Sequence, residues 1–321
     1  MNFKKNVQRI IKAPLIFSYG VGLKLFKGRG FQKIWPLGVI RDWLSSFVRN
    51  YGRPDSVIFR GNVIFLDQHD SQELSVWGDK HWVVKEIEFI KKLLCPDDTV
   101  LDIGANIGLL TIFMSQAVGG KGHVFSFEPA PDNVRLLEKN IKANHLKNVT
   151  IVSSAVSDKI GSLKLFLSDF NPGDHRIYNP EDKTRGWDNK NAVYDKLISG
   201  KRSAIDVPVI SIDQFLKNYE RPVSFIKIDV QGAEGGVLNG MIQILKKNPD
   251  VKLMTEFWPA ALKMFGVEAS VFLEKLENLG FVFHDLGDNR EKTTTIPTLV
   301  QKYTVANNRS TDLFVTRENF P

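Results

Sequence analysis

Three short segments hold side chains from which a ligand site can be built. Asp102-Ile103-Gly104-Ala105-Asn106-Ile107-Gly108 ends an apolar run and leads directly into a helical pattern. Gly104 and Gly108 let the backbone turn sharply and let a ligand lie against it. Their G-x-x-x-G spacing is not the G-x-G-x-x-G of a pyrophosphate-binding dinucleotide loop. Next, Phe127-Glu128-Pro129 places one acid after a second apolar run. A carboxylate accepts two hydrogen bonds at once, which suits the vicinal hydroxyls of a ribose. Ser154-Ala155-Val156-Ser157-Asp158 then offers small residues that leave room for a flat base. Together they describe a nucleoside pocket without a phosphate cradle, which suits S-adenosylmethionine better than NAD or ATP. The candidate cofactor-binding residues are Asp102, Gly104, Asn106, Gly108, Glu128, Ser154 and Ala155.

A second set can act on an acceptor. Between Leu167 and Ile205 lies a long segment, Asp169–Ala204, with little apolar periodicity. Segments of this length are often lids or binding loops. It opens with Gly173-Asp174-His175-Arg176. His175 is a candidate general base near neutral pH, and Arg176 a candidate bidentate grip on an anionic or polyol substrate. In Phe225-Ile226-Lys227-Ile228-Asp229 the alternation puts Phe225, Lys227 and Asp229 on one side of a strand and the two isoleucines on the other. A buried Lys and Asp two apart should be paired or near a polar site. Asp229 stands at the carboxyl end, where a catalytic group belongs, and Glu256 ends the next strand in the same way. The assignment is therefore His175 and Asp229 as catalytic, and Arg176, Lys227 and Glu256 as substrate-binding. Asp229 and Glu256 can also be read as ligands of a divalent metal that orients a diol, but a substrate-binding pair without metal is preferred. Glu234 serves the first turn of its helix.

These residues need a frame. From about residue 81 the sequence alternates helix and strand. The helical spans are His81–Leu94, Gly108–Val118, Pro131–Asn144, Glu234–Lys247 and Val271–Leu279. The strand spans are Thr99–Ile103, Val124–Phe127, Val149–Val152, Ser162–Leu167, Phe225–Val230, Val251–Thr255, Phe281–His284 and Ser310–Thr316. The pattern predicts an α/β, Rossmann-like, doubly wound and mostly parallel seven-stranded sheet with helices on both faces. Residues 1–75 form an N-terminal accessory region, with helical spacing around Phe3–Ile11 and Pro36–Val48. Its β-hairpin runs Val57–Phe59 and Val63–Leu66 about Gly61-Asn62. Residues 76–321 form the catalytic domain.

VLDIGANIGLLT (100–111), FSFEPAPDNVRLLEKNI (125–141), SSAVSDKIG (153–161), NPGDHRI (171–177), VPVISIDQFL (207–216) and FIKIDVQGAEGGVLNG (225–240) resemble the FkbM family of S-adenosylmethionine-dependent methyltransferases. The resemblance covers roughly residues 81–316. The glycine turn and Glu128 are shared with class I methyltransferases generally, whereas the GDHRI and KIDVQGAE segments are more specific. Gln231 departs from the acid that such proteins commonly carry in KIDVEG. The resemblance implies O-methylation of a hydroxyl on a sugar, glycan or polyketide-like acceptor. Such a reaction needs donor and acceptor aligned, the acceptor proton removed and water excluded.

Other readings share some features. A Rossmann-type NAD-dependent oxidoreductase has the ribose acid but needs the pyrophosphate spacing. A nucleic-acid enzyme needs an (N/D)PPY-type clamp where KIDVQG stands, so no nucleic-acid partner is expected. An inactive nucleoside-binding module is the third alternative. The chain has 321 residues and an ordinary apolar share of 43%, which excludes wholesale disorder. One cysteine, Cys95, excludes an intramolecular disulfide.

The net charge of +7 is unevenly placed. Residues 1–50 carry ten Lys and Arg against one acid, and the rest of the chain is close to neutral. No apolar run has the ~20 residues that a membrane crossing needs. Pro14 interrupts the early apolar stretch and basic residues follow it, so it reads as retained rather than as a cleaved signal peptide. The expected location is cytoplasmic, with peripheral contact to an anionic membrane through residues 1–50, where aromatics (Phe3, Phe17, Trp35, Trp43) interleave with the bases. Co-sedimentation with anionic liposomes tests this expectation. Binding that weakens with salt and is lost on removal of residues 1–50 supports docking. No binding at low salt means that the segment packs on protein.

Overall fold

The computed structural model describes residues 55–66, 81–168, 175–177, 203–287 and 292–317. The basic segment 1–50 and most of 169–204, including Gly173 and Asp174, lie outside the described residues.

Ser56–Phe59 (β1) pairs antiparallel with Asn62–Phe65 (β2). The loop is Arg60-Gly61, one residue earlier than expected, because both residues take positive φ (49° and 84°) and Asn62 already pairs with Phe59. Two such residues in succession give the hairpin turn whose twist matches its strands. The chain continues as His81–Leu93 (α1), Thr99–Ile103 (β3), Leu109–Val118 (α2), His123–Phe127 (β4), Pro131–Ala143 (α3) and Val149–Val152 (β5). Next come Ala155–Val156 (β6), Gly161–Phe166 (β7), Ala204–Ile210 (β8), Ile212–Phe215 (α4), Phe225–Ile228 (β9), Glu234–Asn239 (α5) and Ile242–Lys247 (α6). Lys252–Phe257 (β10), Pro259–Met264 (α7), Ala269–Asn278 (α8), Val282–Asp285 (β11), Thr293–Thr294 (β12), Ile296–Lys302 (α9) and Thr311–Thr316 (β13) complete it.

The main sheet has the order β12-β11-β13-β10-β9-β3-β4-β5. β10, β9, β3, β4 and β5 run parallel, and β13 is antiparallel to both β10 and β11. Seven of these are the expected strands, and the two-residue β12 extends the β11 edge. From β3 the chain moves one way to β4 and β5, and later returns to the other side as β9 and β10. The strand order therefore reverses beside β3, and a crevice opens at the carboxyl ends there. The alternation within β9 holds: Phe225 packs with Val100, Met254 and Phe314, while Ile226 and Ile228 join the core on the opposite face. Helices α1 and α2 cover the first face, and α5, α6 and α8 cover the second.

Two elements differ from their sequence patterns. The expected helix Glu234–Lys247 is two helices, because Gly240 turns its carbonyl to the Ser211 hydroxyl and the Asp213 backbone N–H. The Asp213 carboxylate then caps α6 by accepting from the backbone N–H groups of Gln243 and Ile244. The segment Ser162–Leu167 belongs not to the main sheet but to a three-stranded one, ordered β6-β8-β7. Its apolar side, with Leu165, Val207 and Val209, packs on Ala130 and Ala155.

The hairpin is seated by two asparagines one turn apart on α3. Asn144 accepts from Val63 N–H at 2.9 Å and donates to Val63 C=O at 2.8 Å. Asn140 does the same with Phe65 and also donates to the carbonyl of Ile107, inside the glycine turn. The side chains thus act as an extra strand for β2, and Phe59 and Ile64 are buried beside Ile107 and Leu137. Asn140→Ala leaves these backbone groups unpaired and is expected to cost about 2–3 kcal/mol in denaturant unfolding. A loss of under ~0.5 kcal/mol, the scale of ordinary surface changes, would show that the hairpin is not held this way.

Candidate functional site

The glycine turn is fixed from two strands. Gly104 and Ala105 both donate to the Phe127 carbonyl at 3.0 Å, and Asp229 N–H donates to the Ile103 carbonyl at 3.0 Å. Gly104 has φ +82°, and a Cβ there would lie 1.8 Å from the Asp229 carbonyl oxygen. No other residue type fits this approach. Gly108 sits at the start of α2 and packs against Leu137, so its role is in helix packing.

Glu128 follows β4 and is buried. Its Oε2 accepts from Asn106 N–H at 2.9 Å, and its Oε1 from Ala130 N–H at 3.0 Å and Asn133 Nδ2 at 3.3 Å. Burial pushes its carboxyl up to about 7, against the pull of these hydrogen bonds. Asn106 holds φ +51°, and its Oδ1 is buried without a hydrogen-bond partner.

Beneath the turn lies a buried ionic group. Lys227 is 6% exposed. Its Nζ lies 3.4 Å from Asp229 Oδ2 and 3.9 Å from Asp102 Oδ1, and donates to the Gly104 carbonyl at 3.4 Å. Burial works against the ammonium, but Asp229, Asp102 and Glu86 outweigh it and hold it above its ordinary value. Asp102 is fully buried and accepts from the Thr111 hydroxyl. Burial raises its carboxyl, with Lys227 and Thr111 opposing.

The cleft at the carboxyl ends encloses about 680 Å³, its open mouth included. Gly104, Asn106, Glu128, Ser154 and Ala155 line it together with His175 and Asp229, so residues of both candidate sets meet in one place. Asp229 is the more accessible partner of its pair, with 42% of its side chain exposed against 7% for Lys227. Asp102, Gly108, Arg176, Lys227 and Glu256 are not among the lining residues. Asp102 and Lys227 instead support the turn from below. Arg176 is 2% exposed, and its guanidinium lies 5.2 Å from the Trp258 ring centroid. Its backbone forms an isolated antiparallel bridge with Phe166 at the end of β7. Glu256 is half-buried, and burial, then the charges of Asp229, Glu234 and Asp312, raise its carboxyl well above the ordinary value. Glu234 accepts from Val230 and Gly232 N–H, bracing the turn ahead of α5.

His175 lines the cleft, but its Nδ1 accepts from Ser168 N–H at 3.0 Å. A neutral ring bound in this way carries its proton on Nε2 and presents a donor. Of the polar lining residues, Asn133 escaped the sequence reading, and Gln231 was noted there only as a departure from KIDVEG, without a role. Asn133 had a signal, a polar residue in the first turn of the helix after Glu128.

Ionised Glu128 accepts more hydrogen bonds than its protonated form. With its carboxyl at about 7, affinity for S-adenosylhomocysteine should fall as pH drops below that value. The limit is about tenfold per pH unit. Calorimetry at several pH values should show this slope in wild type and a flat, weaker profile in Glu128→Gln. A flat wild-type profile would remove Glu128 from the ribose.

Residues 102–283 match the family model described as "Methyltransferase FkbM domain". The chain is 30% identical over 172 residues to "Methyltransferase 1" of Beauveria bassiana (strain ARSEF 2860), covering 49% of this chain and 68% of that protein. It is 29% identical over 164 residues to "Methyltransferase sdnD" of Sordaria araneosa, covering 44% of this chain and 60% of that one. A solved methyltransferase FkbM from Methylobacillus flagellatus KT aligns with a TM-score of 0.40 at 14% identity over 77% of this chain and 56% of that one, too loosely to argue from. The matched family model spans more than half of the chain, from the first acid of the glycine turn into β11, and the chain belongs to the FkbM family of S-adenosylmethionine-dependent methyltransferases.

Proposed function

We propose that the protein methylates a hydroxyl of a sugar, glycan or similar polyol or polyketide-like acceptor. The observation that carries this reading is that a partly exposed carboxylate, Asp229, shares one cleft with the buried ribose acid Glu128. The chain's residues fit the donor. Glu128 stands ready for two ribose hydroxyls, the Asn106 Oδ1 is a buried acceptor in need of a donor, and Ser154 and Ala155 keep the base side open. S-adenosylmethionine, when bound, supplies a methyl group on a positively charged sulfur.

The remaining work is positioning and one proton. Asp229 takes the proton of the acceptor hydroxyl. Lys227 holds one of its oxygens and Gln231 the other, and a carboxylate with two such partners still has lone pairs to spare. His175 orients the acceptor oxygen through its Nε2–H. This revises its expected role as general base, because the nitrogen that would take a proton is held by Ser168. Arg176 stacks near Trp258 behind the lining and does not grip substrate.

Transfer of a labelled methyl group from S-adenosylmethionine to a panel of sugars, glycosides and polyketide alcohols tests the reading. On the acceptor found, Asp229→Asn should lower turnover by about 10²–10⁴-fold, the scale of general base catalysis. His175→Gln should lower it by about tenfold, the scale of one hydrogen bond. S-adenosylhomocysteine affinity should stay within about threefold of wild type in both. Loss of that affinity, or unchanged turnover in Asp229→Asn, overturns the assignment.

A further inference from the structure

Gln231 enters the chemistry above only as one partner of Asp229, yet it lines the cleft and holds a backbone conformation rare for its type, φ +54°. Its Nε2 donates to Asp229 Oδ1 at 2.9 Å and to Glu256 Oε2 at 3.4 Å. Asp229 follows β9, Glu256 lies in β10, and the two strands are parallel neighbours. One amide nitrogen therefore spends both of its protons on two carboxylates from adjacent strands.

Two carboxylates brought together from neighbouring strands repel each other unless a proton, a donor or a positive charge stands between them, and the carboxyl of Glu256, raised by burial and then by Asp229, shows that repulsion. A divalent cation is one solution, since hard cations take carboxylate oxygens as ligands. Lys227 does not serve both carboxylates. Its contacts run to Asp229, Asp102 and Gly104, and the charges acting on Glu256 are the acids Asp229, Glu234 and Asp312. Among the described residues, no three His, Cys, Asp or Glu side chains converge as a metal cage. The bridging partner between Asp229 and Glu256 is the Gln231 amide.

We propose that Gln231 is a positioning residue: its amide occupies the place a divalent cation would take between Asp229 and Glu256, and so fixes the Asp229 carboxylate in the cleft without metal. This rests on Asp229 as the proton acceptor, but the geometry can be tested apart from that role. The fixed φ explains how the side chain is aimed. Residues 230–232 form a turn whose N–H groups at Val230 and Gly232 are gathered by Glu234 Oε1, and this turn sets the direction of Gln231.

The test uses the full chain and two probes. First, the side-chain amide resonances of Gln231 are followed by nitrogen-15 NMR, assigned by their absence in Gln231→Gly, which suits the positive φ. Asp229→Asn and Glu256→Gln should each displace this proton pair. If neither moves it, the bridge does not exist and the proposal fails, whatever the acceptor proves to be. Second, wild type and Gln231→Glu are titrated with Mn²⁺ alone, with the melting midpoint as the check on folding. Wild type should leave Mn²⁺ free at about 0.1 mM, toward the weak end of the range in which carboxylate sites bind hard cations. Gln231→Glu should take up one ion that Asp229→Asn, added to it, removes. Uptake of Mn²⁺ by wild type that is lost in Asp229→Asn, or no uptake by a folded Gln231→Glu, overturns the claim. On the acceptor found above, Gln231→Gly should lower kcat by about tenfold or more, the scale of one mispositioned hydrogen bond. The acceptor KM and the S-adenosylhomocysteine affinity should stay near wild type.

Discussion

The site depends on one close approach, that of the Gly104 backbone to the carbonyl of Asp229. The parallel register pairs Ile103 with Ile228, so both chains leave the sheet at the same level and must turn past each other. Any Cβ at residue 104 would strike the Asp229 carbonyl. The glycine turn and Asp229 are therefore set by one steric contact. Nothing flexible intervenes between them, because Asp229 N–H is bonded back to Ile103. Alignment of donor and acceptor is the larger part of what a methyl transfer asks of a protein, and under the proposed function this backbone contact would supply it.

Electrostatics sorts the acids around that contact. Lys227 is the cation beneath the turn, and Asp102, Asp229 and Glu86 all act on it. Removing a buried ion's partner costs several kcal/mol, so this group stands or falls as a unit. Glu86 has its carboxyl pushed to about 8, chiefly by burial, with Lys227 opposing and Asp312, Asp229 and Asp102 adding to the rise. Burial raises both Glu234, to about 7, and Glu256, and the acid Asp229 adds to the rise in each. The structure meets this excess of acid with neutral donors. Backbone N–H groups serve Glu234, and an amide serves Glu256.

Much of this was legible in the residues. Strand-end motifs are readable because strand, turn and acid follow one another within a few positions, and β3, β4, β5 and β9 fall within a residue or two of their expected bounds. Alternation alone placed Lys227 beside Asp229. Long-range side-chain contacts were hidden. Nothing in α3 announces that Asn140 and Asn144 complete a hairpin far upstream, since polar residues in a helix usually face water. The break at Gly240 depends on Ser211 and Asp213, residues of another element. Arg176 looked like a substrate grip because its type suits that role, and only the fold reveals the Trp258 ring against it. The Ser168 N–H that decides the tautomer of His175 is a backbone group, so no side-chain pattern encodes it.

The glycine-rich run from Gly232 to Gly240 shows how far sequence and site are coupled. Each glycine inside a helix costs about 1 kcal/mol relative to alanine, so α5 is poor by propensity. The offset is proximity. A Cβ at Gly240 would lie 2.3 Å from the Ser157 carbonyl, and one at Gly236 would lie 2.9 Å from the Ser157 hydroxyl. α5 can therefore press directly on the turn that follows β6. β6 and Ser154 just before it bring Ala155 and Ser154 to the cleft, while α5 begins next to Ala233, which lines the same cleft. A bulkier α5 would be a better helix in isolation, but it would push the base side of the pocket away from the strand ends. Packing against the turn outweighs intrinsic propensity here, and the four glycines of residues 232–240 are the means.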